Sequence, residues 1–205
     1  MNKLYIAGPE VFLPNAREQM DRKAELVRRY GFEPLCPGDL DIPAQKTKKA
    51  FGQTISDVNE GMMNRADGII ANLTPFRGEW ADVGTVFELG YMCALGKMVS
   101  AYSNSADDHY QRLLRYYDGK ITHAADGYKR GPDGLSLEDF EMVDNLMLDG
   151  GVERRGGVME THGASVDALY TDLTAFEACL QHLAALRDSR EEALRPEELD
   201  ASNDD

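Results

Sequence analysis

Gly68-Ile-Ile-Ala-Asn-Leu73 predicts a buried β-strand, because a short apolar run ends there at a polar loop. After that loop, Ala81-Asp-Val-Gly-Thr-Val-Phe-Glu-Leu-Gly90 predicts the start of a helix. Glu88 is the only charged residue between Asp82 and Lys97. A carboxylate buried without a partner is strongly unfavourable, so Glu88 either faces solvent or is held in place for a chemical purpose. A lone acid one turn into an apolar helix, behind a polar loop, is typical of a nucleophile or a general base.

Strand-like and helix-like segments alternate four times around this pair of segments. The other strands are predicted at 3–7, 32–36 and 97–102, and the helices at 15–31, 54–65 and 82–96. Such alternation, with short connections, is typical of a parallel sheet that helices cover on both faces. We therefore predict an α/β fold: a flavodoxin-like or Rossmann-like, doubly wound parallel sheet of about five strands in a single domain.

The remaining segments are less regular. The polar composition of residues 38–53 predicts a candidate binding loop. The glycine-rich composition of residues 118–136 predicts a mobile loop, and that of residues 150–164 predicts an irregular connection. The spacing of apolar residues predicts helices at 107–117 and at 171–186. Residues 137–148 are predicted to form a further helix or an extended segment. The domain is expected to span residues 1–187 and to end with a helix. Residues 188–205 are acidic, lack aromatic side chains and are expected to form a disordered tail.

Composition narrows the class of ligand and the compartment. The formal net charge is −14, which disfavours a nucleic-acid polymer as partner, because phosphate binding requires a basic face. No apolar run approaches the roughly 18–20 residues that a membrane span requires, and the N-terminus lacks the apolar core of a signal peptide. Three widely spaced cysteines indicate reduced thiols, so we expect a cytoplasmic protein. The four histidines lack metal-ligand spacing, and no metal or cofactor is expected.

Topology predicts where a ligand binds. In an open parallel sheet, ligands bind beyond the carboxyl ends of the strands, at the point where the strand order reverses. A flavodoxin-like order places the first and third strands side by side at that point. The loops that follow these two strands would then bring Tyr5, Glu10, Asp82 and Glu88 into one cleft. Because no Walker loop, serine elbow or dinucleotide fingerprint is present, a carboxylate site is the interpretation that fits best.

Three motifs resemble the nucleoside 2-deoxyribosyltransferase family. They are Leu4-Tyr-Ile-Ala-Gly-Pro9, Ala66-Asp-Gly-Ile-Ile-Ala-Asn-Leu-Thr-Pro-Phe-Arg-Gly78 and Asp82-Val-Gly-Thr-Val-Phe-Glu-Leu-Gly90. The similarity covers roughly residues 3–102 in order and resumes at Asp144-Asn-Leu-Met147. The three motifs stand in register at the spacing of the family, which makes the resemblance fairly specific.

The resemblance implies a two-step transfer of 2-deoxyribose between nucleobases with retention of configuration. Glu88 matches the nucleophile, which forms a covalent deoxyribosyl-enzyme that the acceptor base then attacks. Tyr5 matches the tyrosine that orients the nucleophile, and Asp82 matches the acid that holds a sugar hydroxyl.

The resemblance also implies which residues contact substrate. Those of the same chain are Gly8, Phe12, Asn59, Phe76 and Gly84, and those lent by a neighbouring subunit are Asn145 and Met147. The expected partners are therefore deoxynucleosides and free bases, without a nucleic-acid polymer or a membrane, and the expected active unit is a homo-oligomer, at least a dimer.

One position departs from the family pattern and leaves a role open. Many members carry an aspartate where this chain has Asn59, and an amide reads a base edge but cannot donate a catalytic proton. The general acid is therefore unassigned from the sequence. Three alternatives stay open: a nucleotide N-glycosidase related to cytokinin-activating phosphoribohydrolases, a hydrolytic variant of the same site, and a sensor that binds a nucleoside-derived ligand without turnover.

Overall fold

A parallel sheet of five strands forms the centre of the computed structural model, which describes residues 2–193. In chain order the strands and helices are β1 (Lys3–Ala7), α1 (Ala16–Arg29), β2 (Glu33–Leu35), α2 (Lys48–Arg65), β3 (Gly68–Asn72), α3 (Val83–Ala94), β4 (Met98–Ser103), α4 (His109–Tyr116), β5 (Thr122–His123), β6 (Lys129–Arg130), α5 (Leu146–Glu153), β7 (Met159–Thr161) and α6 (Thr174–Ala193). The order of strands in the sheet is β2-β1-β3-β4-β7.

The strand order and the two covered faces confirm the predicted fold. β1 pairs in parallel with both β2 and β3, so the order reverses beside β1 as in flavodoxin-like sheets. Alternate residues of β1 enter different cores: Leu4 packs with α1 and α6, whereas Tyr5 packs with α2 and α3 on the opposite face. The sheet is therefore doubly wound. None of the helices in residues 2–193 is long and apolar enough to cross a bilayer.

One helix start differs from its prediction, and another helix lacks a side-chain cap at its start. The loop predicted at 38–53 ends early, because α2 begins at Lys48 rather than at Thr54. The Thr47 side chain accepts a hydrogen bond from the Ala50 amide at 3.1 Å and caps the helix there. Asn15 directly precedes α1, but its side chain makes no capping hydrogen bond with the helix; its amide contacts Glu18 at 3.4 Å. The start of α2 was not predicted from the sequence, because its first turn contains polar residues and shows no apolar periodicity.

The second half of the chain holds more regular structure than the sequence indicates. The glycine-rich stretch 118–136 contains the β5–β6 hairpin, and the segment predicted as irregular contains β7 and the end of α5. β7 pairs only its three residues with β4, which is too short a run for period-2 alternation to be visible. A Cβ on Gly157 would lie 1.9 Å from the Val99 carbonyl oxygen, so glycine permits the chain to approach β4 just before β7.

The C-terminal helix is confirmed and extends beyond its predicted end. α6 buries Phe176, Leu180 and Leu183 against the sheet, as their helical spacing predicts. It continues to Ala193, past the boundary expected near residue 187. The rest of the predicted acidic tail, residues 194–205, lies outside the described residues.

An ion pair inside the core anchors the loop that follows β1. Glu10 and Lys23 are both fully buried, and the Lys23 ammonium contacts the Glu10 carboxylate. The same carboxylate oxygen accepts hydrogen bonds from the Asn72 amide at 2.8 Å and from the Tyr102 hydroxyl at 3.1 Å. These partners belong to α1, β3 and β4, so one carboxylate ties the short turn at Pro9–Phe12 to three elements.

Glu10→Gln is expected to destabilise the protein by about 3–5 kcal/mol, because it leaves the Lys23 ammonium buried without a counter-charge. Glu10→Gln combined with Lys23→Met should recover most of that loss, since the double variant buries no unpaired charge. Glu25→Gln, which breaks an exposed ion pair with Arg29, serves as the control and should change little. Urea unfolding measures all three. Equal stability of Glu10→Gln and the wild type would contradict this account of the core.

Candidate active site

A cavity of about 510 Å³ opens where the loops after β1 and β2 meet the first turns of α3. Its walls come from the Gly8–Phe12 turn, the start of α1, residues 37–39, one face of α2 and the N-terminal half of α3. The carboxyl end of β1 and the residues after β3 thus contribute together, as the strand order predicts. The volume lies within the range of small-molecule sites.

A tyrosine–glutamate contact between two elements far apart in sequence lies in the wall of the cavity, where Glu88 is a lining residue and Tyr5 is not. The Tyr5 hydroxyl of β1 donates a hydrogen bond of 2.6 Å to Oε1 of Glu88 on α3. Tyr5 is fully buried, whereas Glu88 is partly exposed and lines the cavity. The carboxylate is therefore presented to a ligand with one oxygen already held.

Burial sets the protonation of both groups. Desolvation raises the pKa of Glu88 to about 7; the Tyr5 hydrogen bond opposes this increase, and the nearby Asp82 adds to it. The pKa of Tyr5 is raised by burial and by the Glu88 charge, so its hydroxyl stays protonated and acts as a donor. A pKa near neutrality gives Glu88 a population of both forms at physiological pH, which is typical of catalytic carboxyls.

Asp82 and Gly84 shape the start of α3. Asp82 Oδ2 accepts hydrogen bonds from the Thr85 amide at 3.0 Å and the Thr85 hydroxyl at 3.2 Å, which caps the helix. A Cβ on Gly84 would lie 3.1 Å from the same oxygen, so glycine allows this close turn. Asp82, Gly84 and Thr85 all line the cavity. The capping role and the expected role toward substrate are compatible at this position.

The loop after β1 supplies an aromatic wall. Phe12 lines the cavity, is 54% exposed and stacks on Phe76 with ring centroids 5.3 Å apart. The Arg77 guanidinium lies over both rings. Phe76 supports Phe12 but does not itself line the cavity. A Cβ on Gly8 would lie 2.1 Å from Glu10 Oε2, so only glycine fits between the cavity and the buried ion pair.

Of the remaining residues that were expected in the site, one lines the cavity and three do not. Asn59 lines the cavity from α2, in the position that the resemblance implies. Glu10 was expected to join the cleft, and this was wrong, because Glu10 is fully buried in its ion pair with Lys23. Asn145 and Met147 do not line the cavity of their own chain. Met147 is 72% exposed.

Two charged residues of the cavity were missed from the sequence. Arg17 on α1 and Asp39 after β2 form an ion pair of 3.0 Å in its wall. Neither belongs to a motif; their proximity follows only from the packing of α1 beside β2. Asp39 lies in the stretch that was predicted as a candidate binding loop. Within the part of the chain that the structure describes, no group of three or more His, Cys, Asp or Glu side chains could hold a metal ion.

Two comparisons with known proteins name one family, and two further ones show similarity without naming a family. The sequence model described as nucleoside 2-deoxyribosyltransferase matches residues 4–147. The structure of a 2-desoxiribosyltransferase from Leishmania mexicana is similar, with a TM-score of 0.60 and 31% identity over 89% of this chain and 99% of that chain. A conserved protein from Enterococcus faecalis V583 shares the fold, with a TM-score of 0.53 and 18% identity over 89% of this chain and 99% of that one. An uncharacterised protein from Schizosaccharomyces pombe is 27% identical over 198 residues, which cover 91% of this chain and 90% of that protein.

The residues that the family model matches include all those that line the cavity, and also the Asp144–Met147 segment. The match begins before Tyr5, includes Asp82 and Glu88, and ends at Met147. The resemblance seen in the sequence is thereby confirmed at the level of the family. The chain belongs to the nucleoside 2-deoxyribosyltransferase family.

Proposed function

We propose that this protein transfers 2-deoxyribose between nucleobases through a covalent ester on Glu88. The observation that carries the proposal is the 2.6 Å hydrogen bond from Tyr5 to a cavity-lining carboxylate. Tyr5 holds Oε1, so we assign Oε2 to the attack. Family membership supports the reaction class, and the geometry supports the identity of the nucleophile.

In the first step, a Glu88 oxygen forms a bond to C1′ on the face opposite the base, and the C1′–N bond breaks. Its electron pair leaves with the base, which takes up a proton. In the second step a nitrogen of the acceptor base attacks C1′, the ester bond breaks, and the carboxylate is regenerated as the acceptor loses a proton. Two inversions give net retention. A carboxylate suits both steps because it neutralises an oxocarbenium-like transition state and also bonds to it.

The other cavity residues receive roles that match their positions. Asp82 is assigned to a sugar hydroxyl, because it lines the cavity at the start of α3, nearly two turns before Glu88. Phe12 offers a stacking surface for a base. Asn59 offers an amide to the edge of that base, as acceptor and donor but not as the source of a catalytic proton.

The active unit is proposed to be a homo-oligomer, at least a dimer. Asn145 and Met147 match the segment that the family lends to a neighbouring subunit, and neither lines the cavity of its own chain. An exposed methionine beside a partly buried amide at the start of α5 suits a contact with a second copy. We assign Asn145 to the 5′ end of the sugar in the neighbouring site.

Mixing the protein with 2′-deoxyinosine and adenine is expected to yield deoxyadenosine and hypoxanthine. Glu88→Gln should lower the rate by on the order of 10³-fold or more, because an amide is not a nucleophile. Asp57→Asn, which removes an exposed acid on α2 near Asn59, is the control and should leave the rate unchanged. Chromatography of the products measures both. Release of free deoxyribose at a rate that adenine does not affect would identify a hydrolase instead.

The value of kcat/KM should rise with pH through about 7, because Glu88 must lose its proton to act as a nucleophile. Tyr5→Phe removes the hydrogen bond that stabilises the ionised carboxylate, so the midpoint should move to higher pH by about one unit. Tyr91→Phe removes a hydroxyl from the same helix, where it contacts Asn64, and should leave the midpoint unchanged. A profile whose midpoint is the same in all three proteins would exclude Glu88 as the titrating group.

A further inference from the structure

Arg112 of α4 is fully buried outside the cavity and is used by nothing in the mechanism above. Its Nε donates to the Glu79 carbonyl oxygen at 2.8 Å, and its Nη1 donates to the carbonyl oxygens of Asp107 at 3.0 Å and Val143 at 2.7 Å. Nη2 donates to Asp144 Oδ2 at 2.8 Å. A planar guanidinium that satisfies four acceptors fixes their relative positions, which a flexible ammonium cannot do.

The acceptors on one side of Arg112 form the turn that precedes α5. The Asp149 carboxylate accepts hydrogen bonds from the amides of Val143 and Asp144, at 2.9 and 3.1 Å. Oδ1 of Asp144 accepts from the Asn145 amide at 2.8 Å, while its Oδ2 faces Arg112. The position of the Asn145 backbone therefore depends directly on the carboxylate that Arg112 holds.

The acceptor on the other side is the backbone of Glu79, in the loop that leads to Asp82. This loop has independent anchors: the Tyr170 hydroxyl donates to the Pro75 carbonyl at 2.5 Å, and Trp80 packs on Tyr116. The Arg115 guanidinium also pairs with the Glu79 carboxylate at 3.1 Å. Loss of Arg112 should therefore disturb the Asn145 turn more than the loop of its own cavity.

We propose that Arg112 is a positioning residue for the active site of the neighbouring subunit. It fixes the backbone of the Asp144–Met147 segment, from which Asn145 is assigned to the sugar of the neighbouring cavity once its amide exchanges its contacts with Glu138 and the Met147 backbone for that sugar. This inference rests on the proposed function, in which that segment is lent across the interface. Arg112 itself touches no substrate, and its effect reaches the reaction through Asp144 and Asn145.

Hybrid oligomers test this inference, because they separate an effect on a subunit's own site from an effect on its neighbour's. Two differently tagged chains are co-expressed, and the mixed species is purified through both tags. One chain carries Glu88→Gln, which inactivates its own cavity but lends an intact segment. The other carries Arg112→Lys, whose own cavity keeps Glu88.

Arg112→Lys alone should lose at least about 10-fold in kcat/KM, mainly through a higher KM, because a binding contact to the sugar is misplaced. The hybrid with Glu88→Gln should regain about half of the wild-type activity, because one of each pair of sites then has an intact Glu88 and an intact lent segment. A fold that was merely destabilised would not be rescued in this way. Arg29→Lys, an exposed arginine on α1 that pairs with the exposed Glu25, is the matched control and should retain wild-type kinetics.

Asp144→Asn provides a second variant, since Asp144 contacts the Asn145 turn but not the Glu79 loop. It should show the same loss and the same rescue. The reference hybrid joins Asn145→Ala with Glu88→Gln. If this reference regains activity and both the Arg112→Lys and Asp144→Asn hybrids do not, the role of Arg112 is overturned while the lent segment stands. Full activity of Arg112→Lys alone would also overturn it. Failure of the reference hybrid would overturn the lent segment, and the role of Arg112 with it.

Discussion

The hydrogen bond between Tyr5 and Glu88 is the interaction on which the rest of the site depends. It joins β1 to the helix that follows β3, and it exists because β1 and β3 are neighbours, with Tyr5 opposite Ile69 in the register. Burial disfavours ionisation of the Glu88 carboxyl, and the hydrogen bond from Tyr5 offsets part of this effect by stabilising the carboxylate. The result is an acid whose pKa lies near 7 and whose orientation is fixed before any ligand arrives.

Buried polar groups outside the cavity hold two irregular segments, one that lines the cavity and one that is proposed to reach a neighbouring subunit's cavity. The Glu10–Lys23 pair pins the turn that carries Gly8 and Phe12, and Arg112 pins the turn that precedes Asn145. Both buried ion pairs carry a large desolvation cost, because a buried charge is favourable only when its partners are present. Together they give two short loops fixed positions, which the proposed nucleophilic substitution at C1′ would require, since small displacements of reacting groups reduce rates strongly.

The first half of the chain could be predicted well because its signals are local. Short apolar runs bounded by glycine and proline marked β1 and β3, and the apolar stretch around Glu88 marked α3. β7 could not be recognised, since three residues paired only with β4 carry no pattern of their own. Among the residues that line the cavity, motif residues such as Gly84 and Glu88 were predicted from the sequence, whereas the Arg17–Asp39 pair was not, because it results from packing between separate elements. Glu10 was misplaced because a loop acid looks the same in sequence whether it faces a cleft or a buried lysine.

The most direct test of the central claim is the mass of the intact protein, quenched after it is mixed with 2′-deoxyinosine in the absence of an acceptor base. We expect a mass increase of one deoxyribosyl group on the wild type, which peptide mapping assigns to the segment with Glu88, and which adenine removes. Glu88→Ala should show no such increase. A deoxyribosyl group on a different residue, or a protein that stays unmodified here although it transfers deoxyribose when adenine is added, would contradict a covalent ester on Glu88.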